Sequence, residues 1–340
     1  MTTPTLLGSE LPIAAAPMAG GPTTPGLASA ATRAGAFAFL PGGYLAPDRL
    51  ASDIAVAREW GGPFGVNLFV PGPPELDQAA FAAYARRLAP EAAALGVDLA
   101  DEPVEDDDRW ADKLRLLVEN PVPVVSFTFG LPSAADVRAL RRVGSVVLAS
   151  VTTVDEATAA RDGGVDGLVV QGPAAGGHSA TWDPARRITD APTSAVVRAV
   201  AAAVDLPLVA AGGVDGPGAV RELLAAGAQA VAVGTLLLRT DESGATATYQ
   251  AALAASDRDT VVTRSFTGRP ARAVRNGFVD RHDAAAPVGY PAIHHLTRDL
   301  RRRAAAEGDA ERLHLWAGTG YRSAAPGPVA EVLRGLAAGL

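Results

Sequence analysis

Residues Leu206–Thr235, with the sequence LPLVAAGGVDGPGAVRELLAAGAQAVAVGT, contain one complete copy of the pattern that decides the fold. Two apolar runs, Leu206–Ala210 and Ala230–Val233, flank a segment whose apolar residues recur at helical spacing. A glycine-rich turn follows each run. This order is typical of a strand, a crossover helix and a parallel strand. We predict that Asp215 caps the N-terminus of the helix and that the helix ends at Gly227.

The same alternation recurs along the chain. The apolar runs lack strict period-two alternation, as expected for strands that are covered on both faces. Eight strands are predicted, at Ile13–Ala16, Ala36–Leu40, Phe64–Phe69, Val122–Phe127, Ser145–Ser150, Gly167–Val170, Leu206–Ala210 and Ala230–Val233. Eight strands with helices between most of them predict an α/β protein with a (β/α)8 TIM barrel. The alternative is an open doubly wound sheet, which usually contains fewer strands.

A capping box is predicted after the fifth strand, at Thr153 and Glu156. We expect the Glu156 carboxylate to accept a hydrogen bond from the Thr153 amide. The helix that begins there should stop at Gly163-Gly164, because residues without a Cβ atom let the chain turn.

The chain is longer than a minimal barrel requires. We predict a barrel domain at residues 10–240 with a helical insertion at about 70–121, and a smaller C-terminal lid or extension at 241–340 that packs on the barrel. Four elements are predicted in these additions, namely a helix at Ala79–Leu95, a strand at Thr260–Phe266, and helices at Leu296–Ala306 and Pro328–Ala338.

The composition excludes several classes of protein. The 340 residues carry a net charge of −7 without a dense Lys/Arg block, which argues against nucleic acid or an anionic membrane as a partner. The absence of cysteine excludes disulfides, thiolate catalysis, iron–sulfur clusters and cysteine-based zinc sites, and no residue is assigned to a metal. Residues Met1–Glu10 lack the features of a secretory signal, and the most apolar stretch, Ala230–Leu238, is too short to span a membrane. We therefore expect a cytoplasmic protein that acts on a small molecule.

The strongest chemical signal is the loop Gln171–His178, QGPAAGGH, directly after the sixth predicted strand. It lies at the C-terminal face of the barrel, where active sites of this architecture are found. Its small residues let the backbone approach a flat ligand, and Gln171 offers a donor and an acceptor to the edge of a heterocycle. His178 can exchange a proton near neutral pH. The alternative is a glycine-rich turn with a solvated histidine.

Two further glycine loops follow the seventh and eighth predicted strands, at Ala211–Gly213 and Gly234-Thr235. Barrels frequently bind phosphate between these two loops, through backbone amides and a helix N-terminus. We therefore predict a phosphate site there. The alternative is a pair of tight turns that only close βα units.

Two more candidates lie at the first and third strands. The segment Ala16–Gly21, APMAGG, provides small residues and the soft Met18 as a floor for a flat ring, or else is only the exit of a strand. Asn67 is a polar residue within an apolar strand, so its amide either faces a ligand or satisfies a loop.

The remaining histidines and the arginine clusters are not assigned to the site. Surface or packing roles are expected for the histidines, which lack metal-type spacing: His282, His294, His295 and His314. A solvated or ion-paired strand region is expected for Arg264, Arg269, Arg272 and Arg275, and a solvated helix face for Arg301–Arg303.

Five segments together resemble the nitronate monooxygenase family, formerly called 2-nitropropane dioxygenase: Pro12–Gly21, Gln171–His178, Ala211–Val214, Gly234-Thr235 and Leu315–Gly318, LWAG. The resemblance runs from about residue 10 to the C-terminus. The histidine loop is shared by the wider family, which includes FMN-dependent enoyl-acyl carrier protein reductases. The LWAG segment favours the branch that acts without a nicotinamide. The sequence departs from the family at Ala15, where Gln is frequent, and at Ala174, where Glu is frequent.

The resemblance implies FMN as the cofactor of a (β/α)8 barrel. It implies that the FMN phosphate lies at Gly212, Gly213, Gly234 and Thr235. The positions implied to line the flavin are Pro17, Met18, Ala19, Asn67, Gln171, Gly176 and Gly177. His178 matches the catalytic histidine of the family.

The activity implied is the oxidation of an alkyl nitronate by FMN and O2 to a carbonyl compound and nitrite. His178 is then either the counterpart of the nitronate anion or, where a neutral nitroalkane is the substrate, the base that removes its α-proton. One alternative is an NAD(P)H-dependent FMN reductase of an enoyl thioester or quinone. Another is a flavin-binding or partner-binding barrel that keeps the cofactor site for stability. The chain could form a homodimer.

Overall fold

Eight parallel strands close into a barrel at the centre of the molecule. The computed structural model describes residues 6–72 and 76–340. The strands are β1 (Ile13–Ala15), β2 (Phe37–Pro41), β3 (Phe64–Phe69), β4 (Val124–Thr128), β5 (Val146–Val151), β6 (Gly167–Gln171), β7 (Gly177–His178), β8 (Leu208–Ala211), β9 (Ala230–Val233), β10 (Thr260–Thr263) and β11 (Ala271–Val274). The barrel contains β1 to β6, β8 and β9 in chain order, and β1 pairs with β9 to close it. All eight predicted strands are confirmed, and the closed TIM barrel replaces the open doubly wound alternative.

The helices surround this barrel and build the additions to it. They are α1 (Pro25–Arg33), α2 (Pro47–Arg58), α3 (Gln78–Leu95), α4 (Trp110–Glu119), α5 (Ala134–Arg142), α6 (Val154–Asp162), α7 (Thr193–Ala203), α8 (Pro217–Ala225), α9 (Ala247–Ala255), α10 (Gly277–His282), α11 (Ala292–Glu307) and α12 (Val329–Leu336). The three helices predicted in the additions correspond to α3, α11 and α12. The predicted insertion contains α3 and α4, and its residues 73–75 lie outside the described ranges. None of the described helices is both long and apolar enough to cross a membrane.

Apolar side chains cover both faces of the barrel strands. Inside the barrel, Phe37, Phe39 and Leu148 pack with small residues of the other strands. On the outer face, residues such as Val66 and Val125 pack against the surrounding helices. This two-sided burial is the reason that the strands are continuous apolar runs in the sequence.

The start of α8 differs from the prediction. The helix begins at Pro217 with Gly216 at the N-cap position, so the predicted cap at Asp215 is wrong. Proline is suited to the first helical position because the N–H that it lacks would have no partner within the helix. The helix is followed by Gly227, which has a φ of 112° and turns the chain as predicted.

The capping box of α6 is one residue out of register with the prediction. The Thr153 hydroxyl accepts a hydrogen bond from the Glu156 N–H at 3.1 Å, as a cap should. The Glu156 carboxylate, however, accepts from the Thr152 N–H at 2.6 Å rather than from Thr153. Its second oxygen accepts from the Trp182 N–H at 2.9 Å. This carboxylate therefore joins α6 to the segment that follows the histidine loop.

The C-terminal region adds a small antiparallel sheet in the order β10, β11, β7. The predicted strand Thr260–Phe266 ends at Thr263, where β10 ends. The third strand, β7, is the end of the histidine loop itself. The tail of the chain is thus hydrogen-bonded directly to the loop that follows the sixth strand.

The insertion and the tail share an apolar cluster. α3 packs against α11 around Phe81, Tyr84, Phe266 and Ile293. α12 instead returns to the barrel, where Val329 joins the main core beside α1 and α8. The C-terminal region therefore covers the top of the barrel with its middle part and completes the helical ring with its last helix.

Candidate active site

The carboxyl ends of the barrel strands surround a cavity of about 750 Å³. This volume lies within the range of about 300–1,000 Å³ that small-molecule sites occupy. The cavity is lined by every residue that the sequence assigns to the site, namely Pro17, Met18, Ala19, Asn67, Gln171, Gly176, Gly177, His178, Gly212, Gly213, Gly234 and Thr235. One cavity therefore joins the histidine loop to both glycine loops.

His178 is fixed in this cavity by backbone pairing and by one side-chain contact. In β7 it lies opposite Ala271 of β11. Its Nε2 lies 2.9 Å from the Thr267 hydroxyl, which is positioned by the backbone carbonyl of Arg269 at 3.3 Å. Nδ1 has no hydrogen-bond partner within the described part of the chain. Nδ1 is therefore the ring nitrogen that is available to a ligand.

Burial keeps the His178 imidazole uncharged. Burial, together with the positive charges of Arg269 and Arg301, lowers the pKa of His178 to about 3. Aromatic rings surround the imidazole, since Tyr290 and Trp316 have ring centroids 5.7 Å and 5.5 Å away. At neutral pH the site therefore presents a neutral imidazole that can donate or accept one proton.

Gln171 braces the histidine loop across its base. Its Nε2 donates to the His178 carbonyl at 3.2 Å, and its Oε1 accepts from the Ala180 N–H at 2.8 Å. Both ends of the amide are thus bonded to the loop backbone. Gln171 lines the cavity, but its hydrogen bonds in the structure hold β7 in place.

The loop after β8 lines the cavity with the backbone of two glycines. Gly212 and Gly213 have φ values of 106° and 78°, which favour glycine. A Cβ atom at Gly212 would lie 2.8 Å from the Ala175 nitrogen, so no side chain fits there. The N–H groups of Gly213, Gly234 and Thr235 make no hydrogen bond with the described residues. These residues line one cavity, and free backbone donors suit an anion.

The LWAG segment packs into the same region. A Cβ at Gly176 would overlap the backbone of Gly318, so the histidine loop and the tail are in direct contact. The Gly318 N–H donates to the Thr235 hydroxyl at 3.0 Å. Trp316 lines the cavity beside His178. The tail therefore forms one wall of the cavity.

The loop after β1 is held by a hydroxyl. The Thr23 Oγ1 accepts from the Met18 N–H at 2.9 Å and donates to the Ala16 carbonyl at 2.9 Å. This brace places the Met18 side chain close to Gly234, where a Cβ would lie 3.4 Å from the Met18 Sδ. The segment is thus an ordered part of the cavity floor.

The Asn67 amide is bonded to the neighbouring strand β4 rather than to a loop. The residue is 3% exposed, and its Oδ1 accepts from the hydroxyls of Ser126 at 2.9 Å and Thr128 at 3.0 Å. Its Nδ2 has no partner in the described ranges and lines the cavity. The oxygen satisfies the neighbouring strand, and the nitrogen is free for a ligand.

Sequence reasoning missed two cavity histidines. His294 and His314, expected at the surface or in packing roles, both line the cavity. His282 does pack in the interior, with its Nε2 2.9 Å from the Glu91 carboxylate, and His295 lies 3.0 Å from Asp106. No three His, Asp or Glu side chains of residues 6–72 and 76–340 come together as a metal ligand set.

The arginines expected to be solvated are partly buried. Arg269 is 3% exposed and lies over the Phe129 ring at 4.0 Å, and Arg301 lines the cavity. Arg272 is buried in an ion pair with Asp190 at 3.0 Å, as the ion-paired alternative requires. The only sequence signal for Arg301 was its spacing of seven residues from His294, which places both on one face of α11.

Comparisons with known proteins identify similar chains. The sequence model of a family described as nitronate monooxygenase matches residues 5–339. A protein of Staphylococcus saprophyticus named "Probable nitronate monooxygenase" is 35% identical over 325 residues, which are 93% of this chain and 91% of the relative.

Solved structures extend this similarity to the fold. The structure of nitroalkane oxidase from Streptomyces ansochromogenes matches with a TM-score of 0.91 at 42% identity, over 97% of this chain and 95% of that one. FabK from Thermotoga maritima matches with a TM-score of 0.72 at 26% identity, over 98% of this chain and 95% of that one.

The buried neutral histidine predicts a pH dependence of stability. Between its ordinary pKa of 6.5 and about 3, the unfolded chain binds a proton at His178 that the folded chain does not bind. Stability should therefore fall as the pH falls through this window, by up to about 1.4 kcal/mol per pH unit for one group. In His178→Gln this contribution is absent. The free energy of unfolding, measured with urea at several pH values, should therefore fall less steeply with falling pH than in the wild type. If the free energy of unfolding depended on pH in the same way in both proteins, His178 would not be buried in its neutral form.

Proposed function

The chain belongs to the nitronate monooxygenase family and is an oxidoreductase, and on that premise we propose that it oxidises alkyl nitronates with FMN and O2 to a carbonyl compound and nitrite. One observation carries this proposal. A neutral histidine with a free ring nitrogen lies in the same cavity as a group of unbonded backbone amides. The histidine suits a nitronate, and the amides suit the phosphate of a cofactor.

The amide group supports FMN as the cofactor. A phosphate monoester can accept several N–H bonds at a helix N-terminus without a nearby lysine. Gly213, Gly234 and Thr235 supply such donors. The Thr193 hydroxyl adds a donor close to them, since it is buried without a partner among the described residues and lies 3.5 Å from where a Gly213 Cβ would be. A single nest of this kind, without a Gly-x-Gly-x-x-Gly motif, favours a mononucleotide over a dinucleotide.

A flavin bound here would supply the redox chemistry by taking electrons from the substrate and passing them to O2. The protein contributes binding, orientation and exclusion of water. The upper walls contain the rings of Phe69, Phe129 and Trp316, which keep the reacting region apolar. The free Nδ2 of Asn67 offers a hydrogen-bond donor deeper in the cavity.

His178 acts on the substrate through Nδ1 in this proposal, because Nε2 is engaged by Thr267. With its proton on Nδ1, the neutral imidazole donates to a nitronate oxygen, and the Thr267 hydroxyl then donates to Nε2 instead of to the Arg269 carbonyl. With the proton on Nε2, Nδ1 accepts the α-proton of a neutral nitroalkane. The first role needs no change in the charge of the imidazole, and burial opposes the charged form. A preformed nitronate is therefore the better-supported substrate.

The structural likeness to FabK is the observation that favours a second function. An NAD(P)H-dependent FMN reductase of an enoyl thioester or quinone would use the same phosphate cradle and histidine loop. It would also need room for a nicotinamide in the cavity, one wall of which is formed by Trp316 and the tail. The two functions differ in which compound reduces the flavin.

Gly213→Val should weaken FMN binding through the phosphate. The φ of 78° disfavours a side chain, and the added atoms would meet the Ala174 Cβ at 3.1 Å and displace the amide. Fluorescence titration should show a loss of about tenfold to 100-fold for FMN, the size of one or two hydrogen bonds to a charged group. The affinity for riboflavin, which lacks the phosphate, should decrease much less.

The matched control for this experiment is Gly216→Ala. Gly216 lies three residues further on, with extended backbone and open space where a Cβ would be. The Gly216→Ala variant should bind FMN as tightly as the wild type does. If Gly213→Val lowered the affinities for FMN and for riboflavin equally, the phosphate would not bind at this loop.

His178→Ala should retain FMN and lose activity. Loss of a positioned acid–base group typically lowers the rate by about 10²- to 10⁴-fold. Oxygen consumption with a nitronate and with its parent nitroalkane separates the two roles: a lost anion partner reduces both rates, whereas a lost base reduces only the rate with the nitroalkane. His295→Gln is the control, because His295 lies outside the cavity and contacts Asp106. Full activity of His178→Ala towards both substrates would exclude a chemical role.

A further inference from the structure

Arg301 is a buried guanidinium that has no acidic partner among the described residues. It is 7% exposed on α11 and lines the cavity. Other arginines of the same helix form ion pairs, such as Arg303 with Glu307 at 2.6 Å and Arg302 with Asp299 at 3.5 Å. No carboxylate of residues 6–72 and 76–340 forms an ion pair with Arg301. Burying a cation without a counter-charge is costly, and here burial lowers the pKa of Arg301 to about 10.

The hydrogen bonds of Arg301 do not explain why a cation is placed there. Nε donates to the Thr297 hydroxyl at 3.1 Å, and Nη2 donates to the His294 carbonyl at 2.9 Å. Both acceptors belong to α11 itself, so these bonds join no two elements of the fold. Nη1 has no hydrogen-bond partner in the described chain. A purely structural role would be filled as well by an apolar side chain.

Arg301 also determines which ring nitrogen of His294 carries the proton. Its Nη2 lies 3.2 Å from the His294 Nδ1, and a guanidinium can only donate hydrogen bonds. Nδ1 must therefore be the acceptor, so the neutral imidazole carries its proton on Nε2. Burial, with the charge of Arg301, lowers the pKa of His294 and keeps the ring neutral. The His294 Nε2–H has no acceptor in the described ranges, and the residue lines the cavity.

This pair is connected to the reacting region by stacked and hydrogen-bonded rings. His294 stacks on Tyr44 with ring centroids 4.4 Å apart and nearly parallel planes. The Tyr290 hydroxyl donates to the Tyr44 hydroxyl at 3.3 Å, which leaves the Tyr44 proton free to donate elsewhere. The Tyr290 ring is 5.7 Å from that of His178. Among the residues that the structure describes, the wall beside His178 therefore presents several donors and no carboxylate.

We propose that Arg301 and the Nε2–H of His294 form an oxyanion subsite that selects anionic substrates over neutral nitroalkanes. The proposal rests on the proposed oxidation of nitronates. The oxyanion is either the nitronate group itself or a carboxylate on the substrate chain. In both cases the ligand supplies the counter-charge that the protein lacks, and His294 adds a directed hydrogen bond to it.

The direct test measures binding of nitrate, a planar oxyanion, to the FMN-loaded protein by calorimetry. The variants are Arg301→Met, which keeps the length of the side chain, and His294→Phe, which keeps the ring on Tyr44. Each should weaken nitrate binding by about tenfold to 100-fold, the usual effect of losing a hydrogen bond to a charged group. Arg303→Met is the matched control, because Arg303 is on α11 outside the cavity, and it should bind nitrate like the wild type.

Stability measurements separate binding from a structural role. Because Arg301→Met removes an unpaired buried charge, its urea midpoint should equal or exceed that of the wild type. Lower stability with unchanged nitrate affinity would overturn the proposal. So would a wild type that binds no nitrate, or equal nitrate affinities in all four proteins.

Kinetics then identify the source of the oxyanion. With Arg301→Met, KM should rise and kcat/KM should fall about tenfold or more for anionic substrates, whereas KM should stay unchanged for 1-nitropropane, which binds as the neutral molecule. A fall for both propyl-1-nitronate and propionate 3-nitronate assigns the subsite to the nitronate group, and a fall for the second alone assigns it to the carboxylate. An equal rise in KM for the nitronates and for 1-nitropropane would overturn the selectivity. A wild type that oxidises none of them would refute the proposed function, while nitrate binding would still decide the subsite.

Discussion

The pairing of Gly177–His178 with Ala271–Arg272 is the interaction on which the candidate site depends. The histidine loop leaves the barrel after β6, where Gln171 holds its backbone, and the pairing with the tail fixes the strand that carries the imidazole. The same turn of the tail supplies the Thr267 hydroxyl that holds Nε2. The barrel therefore positions the cavity, while the C-terminal region positions the group that acts in it.

Close approach of backbone to backbone is the second constraint. Gly176 touches Gly318, and Gly212 touches Ala175, so side chains are excluded where the three loops meet. The polar groups of the cavity are thus of two kinds, the backbone amides of the glycine loops and polar side chains such as those of His178 and Asn67. A ligand with a phosphate at one end and a flat ring at the other matches this division, which is the physical basis for proposing FMN.

The barrel and its glycine loops could be predicted because their signals are local. Each strand is a continuous apolar run, and each loop has glycine where a φ above zero or a close contact requires it. His294 and Arg301 could not be found in this way. Both side chains face the cavity, and His294 stacks on Tyr44, which lies 250 residues earlier in the chain, so their burial depends on contacts that no local pattern reports. The cap at Asp215 failed because Gly216 and Pro217 start the helix without a side-chain cap. The homodimer and the cytoplasmic location stay predictions.

The most direct test of the central claim is anaerobic mixing of the FMN-loaded protein with one reductant at a time. The absorbance of the oxidised flavin is followed after addition of propionate 3-nitronate, NADH or NADPH. Our account predicts that the nitronate bleaches the flavin within the time of turnover and that neither nicotinamide does so. Rapid bleaching by NADH or NADPH, with no response to the nitronate, would contradict it and would assign the chain to the reductase function instead.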